Sequence, residues 1–83
     1  MEHEFNEGEF SKMWMAAPAK VCKAFKDFIQ YPTERNECYL VGYLVASNDA
    51  GWLTDDEHSY FMALSGRVRH SVAVQDAIKR ATT

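Results

Sequence analysis

The side chains most able to hold a metal ion or act as a nucleophile are the cysteines and histidines: Cys22, Cys38, His3, His58 and His70. Metal sites in proteins commonly use short spacings such as C-x-x-C or H-x-x-x-H, and no pair here has one. A catalytic thiol needs a neighbouring base and a lowered pKa, whereas both cysteines fall on apolar helix faces. The sequence therefore predicts no metal, no cofactor and no catalytic residue.

A cluster of carboxylates at positions 55–57 is the remaining candidate for acid–base chemistry. Thr54 precedes the cluster and Glu57 follows three residues later, which is the pattern of a helix capping box. Asp55 and Asp56 then lie in the first helical turn, where the positive end of the helix dipole favours them. Because capping explains all three carboxylates, and no nucleophile elbow or Gly-rich phosphate loop exists, we expect a protein that is not an enzyme.

Basic residues near the end of the chain offer a candidate nucleic-acid contact: Arg67, Arg69, His70, Lys79 and Arg80. Residues 40–64 also resemble a helix–turn–helix, but the second helix would point three carboxylates at the phosphates. The net charge of −3 is too small to favour a polyanion as partner. Binding to nucleic acid through the basic last helix is therefore the alternative function, and a solvated helix face is the simpler interpretation.

The size and composition of the chain indicate one small globular domain. It has 83 residues, and its hydrophobic fraction of 47% is ordinary for a folded protein. No apolar run is long enough to cross a membrane, and the acidic start lacks the apolar segment of a signal peptide. Two cysteines do not make a disulfide framework, so we expect reduced thiols and a cytoplasmic location. We expect a single helical domain over residues 1–83, with a frayed acidic tail at residues 1–6.

The most apolar stretch, Cys38–Val45, lies near the centre of the chain. No side of its helical wheel is charged, which predicts a central helix buried by neighbours on several sides. A strand is the alternative, because Val and Tyr favour sheets and short apolar runs are ambiguous. The helix is favoured by Thr33 as an N-cap and by Glu34 and Glu37 in the first turns.

Two helices are predicted before the central one. Asn6, with Glu9 three residues later, indicates the start of a short first helix. Pro18 ends that helix and is well placed to begin the next. The second helix is amphipathic, and its apolar face comprises Val21, Cys22, Phe25, Phe28 and Ile29.

The central helix is predicted to end in a turn at residues 47–51, with Gly51 in the left-handed conformation. The capping box then begins a last helix that extends to about Lys79. Its apolar side comprises Phe61, Leu64, Val68, Val72, Gln75 and Ile78. A glycine in a helix costs only about 1 kcal/mol relative to alanine. One long or mildly bent helix is therefore favoured over a break at Ser65–Gly66.

These elements predict an all-α fold, a compact bundle of three to four helices around a buried central helix. Five Phe, four Tyr and two Trp are generous for this size, so some apolar side chains should lie on the surface where a partner binds. The residues expected at that contact are Trp14, Met15, Trp52, Met62, Arg67, Arg69 and Arg80. We expect a non-enzymatic protein that binds another protein, such as a regulator or inhibitor encoded by a virus or mobile element. A structural helical homodimer is a further alternative.

Overall fold

The computed structural model describes residues 5–82, which form five α-helices and no strand. The helices are α1 (Glu7–Ala16), α2 (Ala19–Gln30), α3 (Glu34–Asp49), α4 (Asp55–His70) and α5 (Val72–Thr82). The predicted all-α class is confirmed. The predicted number of helices is too small, because the last helix is divided in two. Among the described residues, every helix is too short or too polar to traverse a bilayer.

Three of the helices begin at residues that were predicted to cap them. The side-chain oxygens of Asn6, Thr33 and Thr54 each accept a hydrogen bond from the backbone N–H three residues later, at 2.9, 3.2 and 3.1 Å. Glu57 also accepts a hydrogen bond from the backbone N–H of Thr54 at 2.9 Å, which completes the capping box. Local hydrogen bonds between neighbours thus fix where α1, α3 and α4 start.

The connection between α3 and α4 is tighter than the predicted turn, because α3 continues to Asp49. Gly51 has a positive φ of 83°, as predicted, and this conformation reverses the chain without the steric cost of a Cβ atom. The backbone oxygen of Ser47 accepts hydrogen bonds from the N–H groups of Trp52 and Leu53, at 2.8 and 3.2 Å. These bonds satisfy the Ser47 carbonyl in the last turn of α3 and tie the connection back to that helix.

The core is built mainly around the amphipathic face of α2. Its buried members from the five helices and the α3–α4 turn are Phe10, Val21, Ala24, Phe25, Phe28, Ile29, Leu40, Leu44, Leu53, Phe61, Leu64, Val68, Val74 and Ile78. The ring of Phe25 makes edge contacts with Trp14, Phe28 and Phe61, at centroid distances of 6.0, 6.4 and 5.8 Å. Phe25 therefore joins α1, α2 and α4 in one aromatic cluster.

The prediction that the central helix is buried on several sides is wrong. Of the residues of α3, all of which the structure describes, the buried ones are Leu40, Leu44 and Ser47. α3 packs mainly against α2 and α4 and lies at the side of the bundle. Only one side of α3 therefore faces the core, and its opposite side remains apolar and uncovered.

The prediction of one long last helix is also wrong, and the break is at Ser71 and not at Gly66. Ser71 adopts an extended conformation, with φ of −144° and ψ of 108°. Its hydroxyl accepts a hydrogen bond from the N–H of Val74 at 3.2 Å and so caps α5. The side-chain amide of Gln75 donates to the backbone oxygen of Val68 at 2.7 Å, which satisfies a carbonyl freed at the end of α4.

The break changes which residues of the last segment face the core. Val72, predicted on the apolar side, is exposed, whereas Val74 is buried. Ile78 is buried, in agreement with the predicted face. The turn at Ser71 rotates α5 relative to α4, so that the apolar periodicity of α4 does not continue through it.

The predicted frayed tail over residues 1–6 lies partly outside the described residues, which omit positions 1–4 and 83. Phe5 is partly buried, and its ring centroid is 5.4 Å from that of Phe10. Asn6 caps α1 as described above. Phe5 and Asn6 thus belong to the folded part of the chain, because one packs on the core and the other satisfies a helix end.

Candidate functional site

The outward side of α3 is an apolar part of the surface that the other helices leave uncovered. Tyr39, Tyr43 and Val45 are 55%, 41% and 44% exposed, although all three are large apolar side chains. Cys38, Gly42 and Ala46 lie between them and are also exposed. We refer to these six residues together as the Gly42 face.

The helical repeat explains why this face is uncovered. Leu40 and Leu44 point into the core, and Gly42 lies midway between them in sequence, on the opposite side of α3. A Cβ atom at Gly42 would meet no other atom within 4 Å, so the structure leaves open space there. Seven residues are nearly two helical turns, and Arg35 and Asp49, seven residues away on either side, therefore share this direction.

The surface of the Gly42 face is a shallow depression with a raised edge. The depression has a volume of about 280 Å³ and is lined by Cys38, Tyr39, Gly42, Tyr43 and Ala46. Its floor consists of small residues and its edge of the two tyrosines. This shape suits an approaching helix, because small residues allow two helix axes to lie close together.

A second groove lies on the other side of the same tyrosines, between α2 and α3. Its volume is about 270 Å³, and its lining comprises Lys20, Lys23, Ala24, Asp27, Asn36, Tyr39 and Tyr43. Lys23 and Asp27 form an exposed ion pair at 3.3 Å. Tyr39 and Tyr43 therefore stand as a ridge between an apolar depression and a charged groove.

The two ends of the Gly42 face carry opposite charges. Arg35 lies near the start of α3, and its guanidinium is 5.8 Å from the centroid of the Tyr39 ring. Asp49 is the last residue of α3 and is exposed. The face thus has a cation at one end, an anion at the other and apolar residues between them.

The two cysteines differ in exposure, and Cys38 does not have the burial that was predicted for the central helix. Cys38 is exposed on the Gly42 face, whereas Cys22 is partly buried. The thiol of Cys22 donates to the backbone oxygen of Trp14 at 3.6 Å. Burial raises the pKa of the Cys22 thiol, and the charge of Lys26 opposes that rise.

The apolar residues predicted to contact a partner fall into two groups. Met15 and Trp52 are 86% and 68% exposed, on α1 and in the α3–α4 turn. Trp14 and Met62 are partly buried and pack against the core. The Trp14 ring stacks on that of Phe10 at a centroid distance of 5.3 Å. Trp14 therefore contributes to the aromatic cluster of the core as well as to the surface.

The basic residues predicted to contact a partner lie on α4 and α5. Arg69 forms an ion pair with Glu37 at 2.7 Å and so links α4 to α3. Arg67 lies near Tyr60, whose pKa is raised to about 12, mainly by burial and then by Glu9, with Arg67 lowering it. Arg80 is exposed in the last turn of α5.

Sequence reasoning did not identify the Gly42 face as a surface, although a signal for it was present. Gly42 is a poor helix former and fills no volume, so it is an unusual residue for the middle of a buried helix. The spacing of Arg35, Gly42 and Asp49 also places charges on the side of α3 that was expected to be buried. The charged residues on the same side of the helix as Gly42 therefore indicated that this side faces solvent.

No group of three His, Cys, Asp or Glu side chains in residues 5–82 is placed to hold a metal ion. Comparison with protein-family models, curated proteins and solved structures found no match to this chain. The Gly42 face is accordingly the candidate site that the geometry of the described residues supports best.

Proposed function

We propose that this chain is a small protein-binding domain that recognises an apolar helix of a partner protein chain through the Gly42 face. The observation that carries the proposal is the uncovered, apolar outward side of α3, with Tyr39 and Tyr43 exposed beside Gly42. Contiguous apolar surface on a small protein commonly marks an interaction site, because its burial by a partner is favourable. Tyrosine is also enriched among the residues that dominate binding energy.

The shape of the face favours a helix as the bound element. The residues that line the depression all belong to α3, and they combine three small residues with two tyrosines. An amphipathic helix presents its apolar residues in a stripe, and such a stripe fits a shallow apolar groove. The opposite charges of Arg35 and Asp49 favour a helix that carries an acidic residue at one end of the stripe and a basic residue at the other.

Binding of this kind acts by covering a surface of the partner. We propose that the chain is in this sense a regulator or inhibitor, of the kind that viruses and mobile elements encode. We propose that it acts in the cytoplasm and catalyses no reaction. The exposed thiol of Cys38 lies within the face, and a reducing compartment would keep it unmodified.

The experiment compares two exposed tyrosines, one on the face and one off it. Tyr43→Ala removes part of the ridge, and Tyr31→Ala removes a tyrosine that is 61% exposed at the α2–α3 junction. Proteins captured by the immobilised chain from cells of its source are identified, and their affinities are measured with purified material. We expect Tyr43→Ala to weaken binding by about 2 kcal/mol or more, roughly thirtyfold, and Tyr31→Ala to leave it unchanged.

Two results would overturn the proposal. One is equal binding by the original chain and the Tyr43→Ala variant. The other is capture of nucleic acid with an affinity that falls steeply with salt, since that dependence reports phosphate contacts. Thermal unfolding of both variants serves as the control, because an exposed tyrosine contributes little to stability.

A further inference from the structure

We infer that the helix bound by the Gly42 face is α3 of a second copy of this chain, in an antiparallel pair whose two-fold axis passes beside Gly42. The inference rests on the proposed function, since it names the partner of the same surface. In a two-fold pair the same surface of both copies meets, so that surface must be complementary to itself. If one residue contacts a second residue of the other copy, the reverse contact is also made. The Gly42 face meets that requirement in charge and in shape.

The charges are complementary only in the antiparallel direction. Arg35 and Asp49 lie seven residues from Gly42 on either side, or about 10 Å along the helix axis at 1.5 Å per residue. In an antiparallel pair centred on Gly42, Arg35 of each copy lies level with Asp49 of the other, which gives two opposite-charge contacts. A parallel pair would place Arg35 against Arg35 and Asp49 against Asp49, and like charges disfavour it.

The positions of these charges are unfavourable for α3 by itself. Arg35 lies in the first turn, where the helix dipole disfavours a cation, and Asp49 is the final residue, where it disfavours an anion. Both residues therefore act against the stability of the isolated helix. A second copy offsets both effects at once, because it brings an anion to Arg35 and a cation to Asp49.

The small residues are placed to let the two helices approach. Gly42 lies beside the two-fold axis, where a larger side chain would meet the same side chain of the second copy. Cys38 lies level with Ala46 of the second copy, so that a small residue opposes a small residue on each side of the axis.

The tyrosines complete the contact on one side of the pair. The two-fold operation keeps Tyr39 and Tyr43 of both copies on the same side of the interface. At 1.5 Å per residue, their order along the pair alternates between the copies: Tyr39, then Tyr43 of the second copy, then Tyr43, then Tyr39 of the second copy. The ridge of one copy therefore fits beside the ridge of the other.

The size of this contact sets the affinity expected. α3 has 16 residues, which is about 24 Å of helix. A single helix from each copy gives an interface at the small end of the range, where association is weak and reversible. We expect a dissociation constant on the order of micromolar, and measurements should cover roughly 1 µM to 1 mM.

The decisive experiment is a pair of charge reversals, Arg35→Glu and Asp49→Arg, measured by sedimentation equilibrium on the full chain. Each variant alone places two like-charge contacts in the dimer, and we expect each to dimerise at least tenfold more weakly. A mixture of the two restores opposite charges at both contacts, so the heterodimer should form with nearly the original affinity. Each reversal agrees with the helix dipole of α3, so circular dichroism should show retained helix in both variants.

A matched pair of glycine substitutions tests the axis. Gly42→Glu places two carboxylates against each other at the two-fold axis and should abolish association. Gly66→Glu makes the same change in α4, where a Cβ atom also meets nothing within 4 Å, and should leave association unchanged. A dimer that persists with Gly42→Glu would overturn the inference.

The outcomes separate this inference from the proposed function. If the original chain stays monomeric up to 1 mM while Tyr43→Ala loses another captured protein, the proposed function stands and the second copy is excluded. If the single charge reversals weaken a dimer but their mixture does not restore it, the antiparallel arrangement is wrong. If the chain neither dimerises nor loses any captured protein with Tyr43→Ala, both proposals fail.

Discussion

The neighbouring helices α2 and α3 pack against each other, yet they use their apolar residues in different ways. α2 has apolar residues on one side and Lys20, Lys23 and Lys26 on the other. α2 buries all four of its large apolar residues, which are Val21, Phe25, Phe28 and Ile29. α3 is apolar around its whole middle, but it buries Leu40 and Leu44 and exposes Tyr39, Tyr43 and Val45.

The difference shows that an apolar side chain alone does not decide whether a helix side is buried. In α2 the charged side must face water, so one orientation is strongly favoured. In α3 no charged side exists between Cys38 and Ala46, so packing against α2 and α4 selects the inward side. The apolar side left over remains partly exposed to water, and binding is the role that we propose for it.

The largest expected effect is a difference in stability between a substitution in α2 and one in α3. Phe25→Ala should lower the free energy of unfolding by about 3–5 kcal/mol, because it removes a fully buried ring and leaves a cavity. Tyr43→Ala should lower it by less, about 1 kcal/mol, because the side chain lies on the surface and is 41% exposed. Urea unfolding at low protein concentration measures both. Comparable losses would mean that the Gly42 face belongs to the core.

The second expected effect separates the thiols of the two helices. Cys38 should react with a chromogenic disulfide reagent in the native state at least roughly tenfold faster than Cys22. Cys38 is exposed, whereas burial both shields the Cys22 thiol and raises its pKa, which reduces the reactive thiolate. The single variants Cys22→Ser and Cys38→Ser isolate each rate at pH 8. Equal rates would contradict the exposure of Cys38.

The third expected effect concerns the ends of α3. α2 begins without a side-chain cap, whereas Thr33 caps α3 and Thr54 caps the helix that follows it. Thr54→Ala should lower the free energy of unfolding by about 1 kcal/mol, with Thr33→Ala of similar size. Thr54→Ala should not change association, because its cap begins α4 and lies outside the proposed contact. A Thr54→Ala variant with altered binding and unaltered stability would make the 54–57 cluster a site.

The smallest expected effect tests why α3 contains a glycine. Gly42→Ala and Gly66→Ala should each raise the free energy of unfolding of the monomer by about 0.5–1 kcal/mol, since both glycines are helical and have room for a methyl group. Thermal unfolding at low concentration measures the change. A loss of stability with Gly42→Ala alone would show that the open space beside α3 is filled within one chain.

The sequence by itself determined the helical class and most of the helix ends. The caps at Asn6, Thr33 and Thr54 and the positive φ of Gly51 depend on residues three or four apart, so a local pattern is sufficient to predict them. The apolar face of α2 was equally predictable, because the side with the lysines must face water and only the opposite side can face the core. These features involve contacts within one helix or one turn.

The tertiary structure decided the features that depend on distant neighbours. The Ser71 hydroxyl caps α5 by a local hydrogen bond, but which side of α5 faces the core depends on packing, since Val74 is buried and Val72 is exposed. The exposure of Tyr39, Tyr43 and Cys38 follows from the position of α3 at the side of the bundle. An apolar helix without a polar side has several faces of similar burial energy, and only its packing neighbours determine which one remains in water.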